Sequence, residues 1–264
     1  MSAWVAFLDE AIGKTAWQMT PPPAYGAFHL SFTVVGIALC FLLSWRLRAL
    51  SERGHRRVLF FSSMILILTE IYKQLFYYFY LNDNTYAYNI FPFQLCSVPM
   101  YLCLVACFLK PGSVRDGLYG FMTTYNLLGG LMAFIEPSGI THSYWTLTLH
   151  AYLWHMMLIF IGIYLIMSGH FAKTKKDFLR ATVTFFTLCA VAFTINLLLR
   201  DVSGGNINMF FVGPSNSPLF FFKGVSQKFG WYISTLLYIP TVIFGAFLIF
   251  LPARLYAKKR RMLS

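Results

Sequence analysis

Cys96 sits in the run 89–99, NIFPFQLCSVP, shortly after Pro92. Proline suits the first turn of a helix, where its missing N–H costs no hydrogen bond. That reading places Cys96 about one turn inside a helix N-terminus. The positive end of the helix dipole favours a thiolate there, so Cys96 is a candidate nucleophile. His150 and His155 lie on a later apolar stretch and are candidates for the general base that a thiol nucleophile needs. They are five residues apart, about 140° around an ideal helix, so they do not readily share one metal ion. No HExxH and no CxxC spacing occurs. Neither a metal nor a cofactor is expected. The bland alternatives are a small apolar filler for the cysteine and a ring bonded to a neighbouring helix for each histidine.

Other polar residues interrupt apolar segments, where an ionisable group is costly and marks a functional hypothesis. Glu70, Lys73, Gln74 and Tyr77 follow helical spacing and share one face. Glu70 and Lys73 can pair, either as part of a site or as a structural ion pair that fixes helix packing. Asn126 precedes Gly129, Gly130 and Ala133 on a face that reads as a packing seam. Asn196 and Arg200 form an i, i+4 pair. The connection 201–230 mixes Asn206, Asn208 and Asn216 with aromatic pairs, as a lid, a re-entrant loop or an interfacial aromatic belt would. The candidate substrate-binding set is Lys73, Gln74, Gln94, Asn126, Asn196, Arg200 and Asn208.

The elements that must position these residues are membrane spans. Of 264 residues, 11% are charged, 58% are apolar and 19% are aromatic, and mean hydropathy is +0.62. A soluble domain of this length cannot hide that much apolar surface, and disorder or a secreted disulfide scaffold fits no better. Seven segments reach the length of about 20 apolar residues that a transmembrane helix needs: 28–45, 58–80, 90–109, 114–135, 145–167, 179–199 and 231–251. The fold class is therefore all-α, a polytopic seven-helix bundle. Residues 1–27 form an interfacial segment broken by Pro21, Pro22 and Pro23, residues 28–252 the transmembrane domain, and residues 253–264 a basic tail.

Basic residues cluster after spans one, three and five and in the tail, for example Arg53, Arg56, Arg115, Lys173 and Arg180. The positive-inside rule then puts the N-terminus outside and the C-terminus in the cytoplasm, in the plasma (cytoplasmic) membrane. The net charge of +12 is thus mostly a topology signal, not a nucleic-acid footprint. In this topology Cys96, the two histidines and the candidate binding residues all fall in the outer half of the bilayer, where they could form a polar pocket. The five cysteines all lie within spans, so no disulfide framework is expected.

The stretch PFQLCS at 92–97, the segment HAYLWHMMLIFIGIYL at 150–165 and the late NLLLRDVSGGNINMFFVGPSNSPL resemble the YwaF family of bacterial integral membrane proteins. That family is similar to a eukaryotic transmembrane acyltransferase that remodels ether phospholipids. The resemblance spans roughly residues 60–250, in order and with the same seven-span layout. It implies an acyl-carrying cysteine at Cys96, a partner base at His155, family polar positions at Asn196 and Asn208, and a place in the bacterial inner membrane. Ser97 stands where the eukaryotic form has a histidine after its cysteine. Gln94 or Leu95 stands where the bacterial form has one before it.

Together these readings point to a membrane-embedded lipid acyltransferase or lipid hydrolase, with phospholipid and lysophospholipid as partners and no nucleic acid. The alternatives are a transporter using Glu70 and Lys73 as a relay, a seven-helix membrane sensor, or a structural subunit docking through the Gly129–Gly130 face.

Overall fold

A computed structural model describes residues 3–262, with side chains as far as Ala257. The side chains of the basic tail at 258–261 lie outside the described residues. α1 (Ala3–Gly13) is followed by the proline break and α2 (Ala27–Leu47). α3 (Glu52–Phe76) opens on Ser51, whose side chain accepts a hydrogen bond from the Gly54 N–H, and closes in a π-helical turn over Tyr77–Leu81. α4 (Val98–Phe108), α5 (Ser113–Phe121), a second π turn (Met122–Asn126) and α6 (Leu127–Ile135) follow. α7 (Trp145–Met167) matches the expected fifth span. α8 (Lys175–Leu198) starts with a capping box in which Thr174 and Asp177 exchange side-chain-to-backbone bonds. α9 (Phe220–Phe229) and α10 (Trp231–Met262) complete the chain, with α10 running well past the span end expected at 251. The described residues hold no named strand.

Among the described residues six helical segments are long and apolar enough to cross a membrane. The third expected span, 90–109, needs correction. It is helical only over Val98–Phe108, about 16 Å of rise, roughly half the hydrocarbon thickness. The cause is its two prolines. Pro99 fits the first turn of α4, whereas Pro92 holds Phe91 out of the helical region and stops the helix from extending backwards. Residues 82–97 therefore run as turns and irregular backbone. Such backbone is tolerated at membrane depth only where protein covers it. Cys96 consequently precedes the α4 N-cap, Ser97, rather than lying one turn inside a helix as its spacing after Pro92 suggests.

The bundle has a basic end and an opposite end. The starts of α3, α5 and α8 gather at the basic end, where Arg56 of α3 donates to the carbonyls of Cys107 and Leu109 at the end of α4. The main core joins α3 to α8 and α10, with a stack of Phe121, Tyr125 and Phe185 at its centre. The Tyr125 hydroxyl is paired with Thr182, 2.8 Å away. A second cluster packs α2 and α6 onto α7. The five cysteines are free thiols.

Candidate functional site

The α3 turn that carries Glu70 and Lys73 lies towards the end opposite the basic one. Glu70 is buried, and its Oε1 accepts from Lys73 Nζ at 2.8 Å and from Gln74 Nε2 at 2.7 Å. Gln74 Nε2 also donates to the Ile90 carbonyl, tying the irregular segment to α3. The expected pair therefore forms, with Gln74 as a third member. Lys73 Nζ lies 6.0 Å from the Trp154 ring centre, within the range in which a cation is drawn to an indole face.

Trp154 links this charge to the thiol. Its indole N–H donates to the Cys96 carbonyl at 3.0 Å and so holds the 94–97 turn against α7. The Cys96 thiol faces into the bundle rather than towards lipid. It packs on the main core, beside Gly129 of α6, where a Cβ would sit 3.6 Å from its Sγ. The glycine leaves open the space next to the sulfur. Lys73 is the charge within electrostatic reach of both Cys96 and His155.

His155 follows Trp154 on α7. Its Nδ1 lies 2.7 Å from the Ala151 carbonyl. A carbonyl only accepts, so Nδ1 must carry the proton, and Nε2 is left with a lone pair. His150 stacks on Trp154 with ring centres 5.5 Å apart, and its Nε2 is buried without a partner. Cys96 and His155 make no direct hydrogen bond to one another among the described residues. Outside the helices, burial and the Lys73 charge hold His142 below the ordinary histidine pKa.

The remaining candidates separate into two groups. Gln94, Asn196 and Asn208 meet as a clasp around the segment 207–213, which inserts into the core with Ile207, Met209 and Phe210 fully covered. Asn196 accepts from the Met209 N–H at 2.6 Å and donates to its carbonyl at 3.0 Å. Gln94 accepts from the Phe210 N–H at 3.2 Å and donates to the Asn208 carbonyl at 3.4 Å. Asn208 accepts from the Gly213 N–H and donates to the Ser215 carbonyl. All three amides thus hold loop backbone. Within the loop, Phe210 and Phe211 have φ of 55° and 56°, a left-handed conformation that costs a bulky residue about 1–3 kcal/mol and persists only where its surroundings enforce it. The Gln94 turn is continuous with Cys96, so the inserted loop and the thiol turn are one assembly.

Asn126 and Arg200 lie apart from this assembly. Asn126 sits in the π turn and donates to the Leu158 carbonyl of α7 at 3.1 Å, leaving Oδ1 buried without a partner. The Arg200 side chain is exposed at the end of α8. Trp154, which adjoins His155, is a functional residue outside the candidate set that the sequence offers. Its signal was an indole N–H inside a span, a donor that needs a partner when buried.

Apolar helices of spanning length, with no named strand among the described residues, define a polytopic all-α membrane protein. Cys96, Lys73, Gln74, Gln94, His150 and His155 sit in the half of the bundle away from the basic end. The chain belongs to the TMEM164 family, whose profile matches residues 24–251. No curated protein and no solved structure matches it.

Proposed function

We propose that this chain is a membrane-embedded lipid acyltransferase in which Cys96 carries the acyl group and His155 moves the protons. The observation that supports the reading is the fixed His155 tautomer, next in sequence to the Trp154 that tethers the thiol turn. The Ala151 carbonyl reserves Nδ1, Nε2 is available as a base, and the neighbouring Trp154 holds the Cys96 backbone. The resemblance of the 92–97 and 150–165 segments to the YwaF family supports the same pair.

The chemistry balances as follows. His155 Nε2 takes the thiol proton, and Cys96 Sγ attacks the ester carbonyl of a membrane phospholipid. The tetrahedral intermediate expels the lysophospholipid oxygen, which takes the proton back from His155 and leaves a thioester on Cys96. A second lysophospholipid hydroxyl gives its proton to His155, attacks the thioester and releases the thiol. Water in that role gives hydrolysis. Lys73 is placed to offset the charge of the thiolate and of the oxyanion, while Glu70 and Gln74 hold it there. In this reading Gln94, Asn196 and Asn208 position the wall of the site, His150 is a second base on the same helix, and the chain sits in a bacterial plasma membrane with its N-terminus outside.

The test uses purified protein in lipid discs with a labelled-acyl phospholipid and an unlabelled lysophospholipid, read by mass spectrometry. Label transfer is expected in the wild type, with a loss of about a hundredfold or more in Cys96→Ala and in His155→Ala. Transfer at wild-type rate in Cys96→Ala would overturn the thiol mechanism.

A further inference from the structure

The basic end holds a second polar centre that the acyl-transfer reading does not use. A cavity of about 300 Å³ opens there between the starts of α5 and α8 and the loop 169–173. Arg115, Asp116, Tyr119, His170, Lys173 and Asp177 line it. The Arg115 side chain is only 8% exposed, yet among the described residues its ion pair is a single contact from Nη1 to Glu52, and its Nε is buried without a partner. A buried guanidinium with an unpartnered Nε beside a cavity calls for an acceptor.

The surrounding charges agree. Arg180 neutralises Asp116 and Asp177 at 3.2 Å each. Asp177 is further occupied by the α8 capping box, accepting from the Thr174 N–H and hydroxyl. Glu52 lies between Arg56 and Arg115. Arg56, Arg115 and Arg180 engage these three carboxylates, and Lys173 lines the same cavity. α5 begins at Gly112 without a side-chain cap, so its first-turn amides add positive potential at the same place.

We propose that this cavity binds a phosphate-type oxyanion, either a free phosphate compound or a lipid phosphate headgroup, through Arg115 and Lys173. His170 completes the site as a proton-linked contact. Its ring stacks on His55 at 3.8 Å, its Nε2 lies 3.7 Å from Glu52, its Nδ1 meets Ser168 Oγ, and Tyr119 packs on its edge. His55 is held between the hydroxyls of Tyr164 and Tyr119, at 3.1 and 2.9 Å. Burial outweighs Glu52, and Arg115 and Lys173 further oppose a charge on His170, so its pKa lies below the ordinary value. A bound anion reverses that balance, so binding takes up a proton and tightens as pH falls.

The experiment uses the full chain in maltoside micelles, which carry no phosphate. Inorganic phosphate is titrated calorimetrically at about pH 6 and about pH 8, in buffers of different ionisation heat. In a parallel arm phosphatidic acid is added to the micelles and retained lipid is read by native mass spectrometry. Saturable phosphate binding, tighter at the lower pH and with proton uptake, assigns a free anion. Retention of phosphatidic acid with no phosphate binding assigns a lipid headgroup. In either arm Lys173→Gln is expected to weaken binding about tenfold, and His170→Gln to abolish the proton uptake or the pH dependence of retention. Arg115→Gln is expected to remove binding. If it fails to fold, the other two variants decide. No binding in either arm, or binding unchanged in Lys173→Gln and His170→Gln, overturns the proposal.

Discussion

At the scale of single residues, protons and buried polar atoms decide what the two polar centres can do. Trp154→Phe keeps the ring over Lys73 but deletes the N–H that holds the Cys96 carbonyl. The expected cost in stability is about 1 kcal/mol, with a larger fall in the acyl-transfer rate because the thiol turn loses its tether to α7. A variant as active as wild type would remove Trp154 from the positioning of Cys96. pH gives a second test. His142 and His170 lie outside the spans and have pKa values held below the ordinary value, chiefly by burial. The unfolded chain therefore binds more protons than the folded one once pH falls below about 6.5. Their contribution to stability is intact above that pH and is lost as pH falls towards their folded values. The melting temperature in phosphate-free micelles should fall between about pH 7 and pH 5, and His170→Gln should flatten part of that slope.

At the scale of elements, the inserted loop is the feature most exposed to test. Asn196→Leu leaves the Met209 N–H and carbonyl buried without the partners they now have. A loss on the order of 3 kcal/mol is expected, with faster hydrogen exchange confined first to residues 207–213. Unchanged exchange there would mean that the clasp does not hold the loop. Thr174→Ala removes the α8 capping box and should cost about 1 kcal/mol in a melting experiment. The sequence was most legible where one element answered to one signal. The 145–167 span matches α7 end for end because no proline and no Asp, Glu, Lys or Arg interrupts it. The 90–109 stretch was misread because hydropathy cannot distinguish an apolar helix from apolar turns, and its aromatic residues concealed what Pro92 does to the backbone. Gln94, Asn196 and Asn208 were recognisable as polar residues in an apolar setting. That all three grip one loop was not recognisable, because the bonds from Gln94 reach 114 and 116 residues along the chain.

At the scale of the whole molecule, the two ends of the bundle differ in kind. One gathers the thiol, two histidines and a lysine–glutamate pair. The other gathers arginines, carboxylates and a stacked histidine pair around a cavity. The distribution of basic residues predicts that the second end faces the cytoplasm. Single cysteines introduced at Ser138 and at Lys110 in an otherwise cysteine-free chain should then be labelled by an impermeant reagent from opposite sides of intact cells, Ser138 from outside. Labelling of Lys110→Cys from outside would invert the topology and move the proposed acyl-transfer site to the cytoplasmic leaflet. The central claim remains that Cys96 carries an acyl group, and intact-protein mass spectrometry after incubation with phospholipid, in the absence of any lysophospholipid, tests it most directly. An acyl-mass adduct on Cys96 that hydroxylamine removes and that fails to form in His155→Ala is the predicted result. No adduct, or one located on Cys40, Cys103, Cys107 or Cys189 instead, would contradict it.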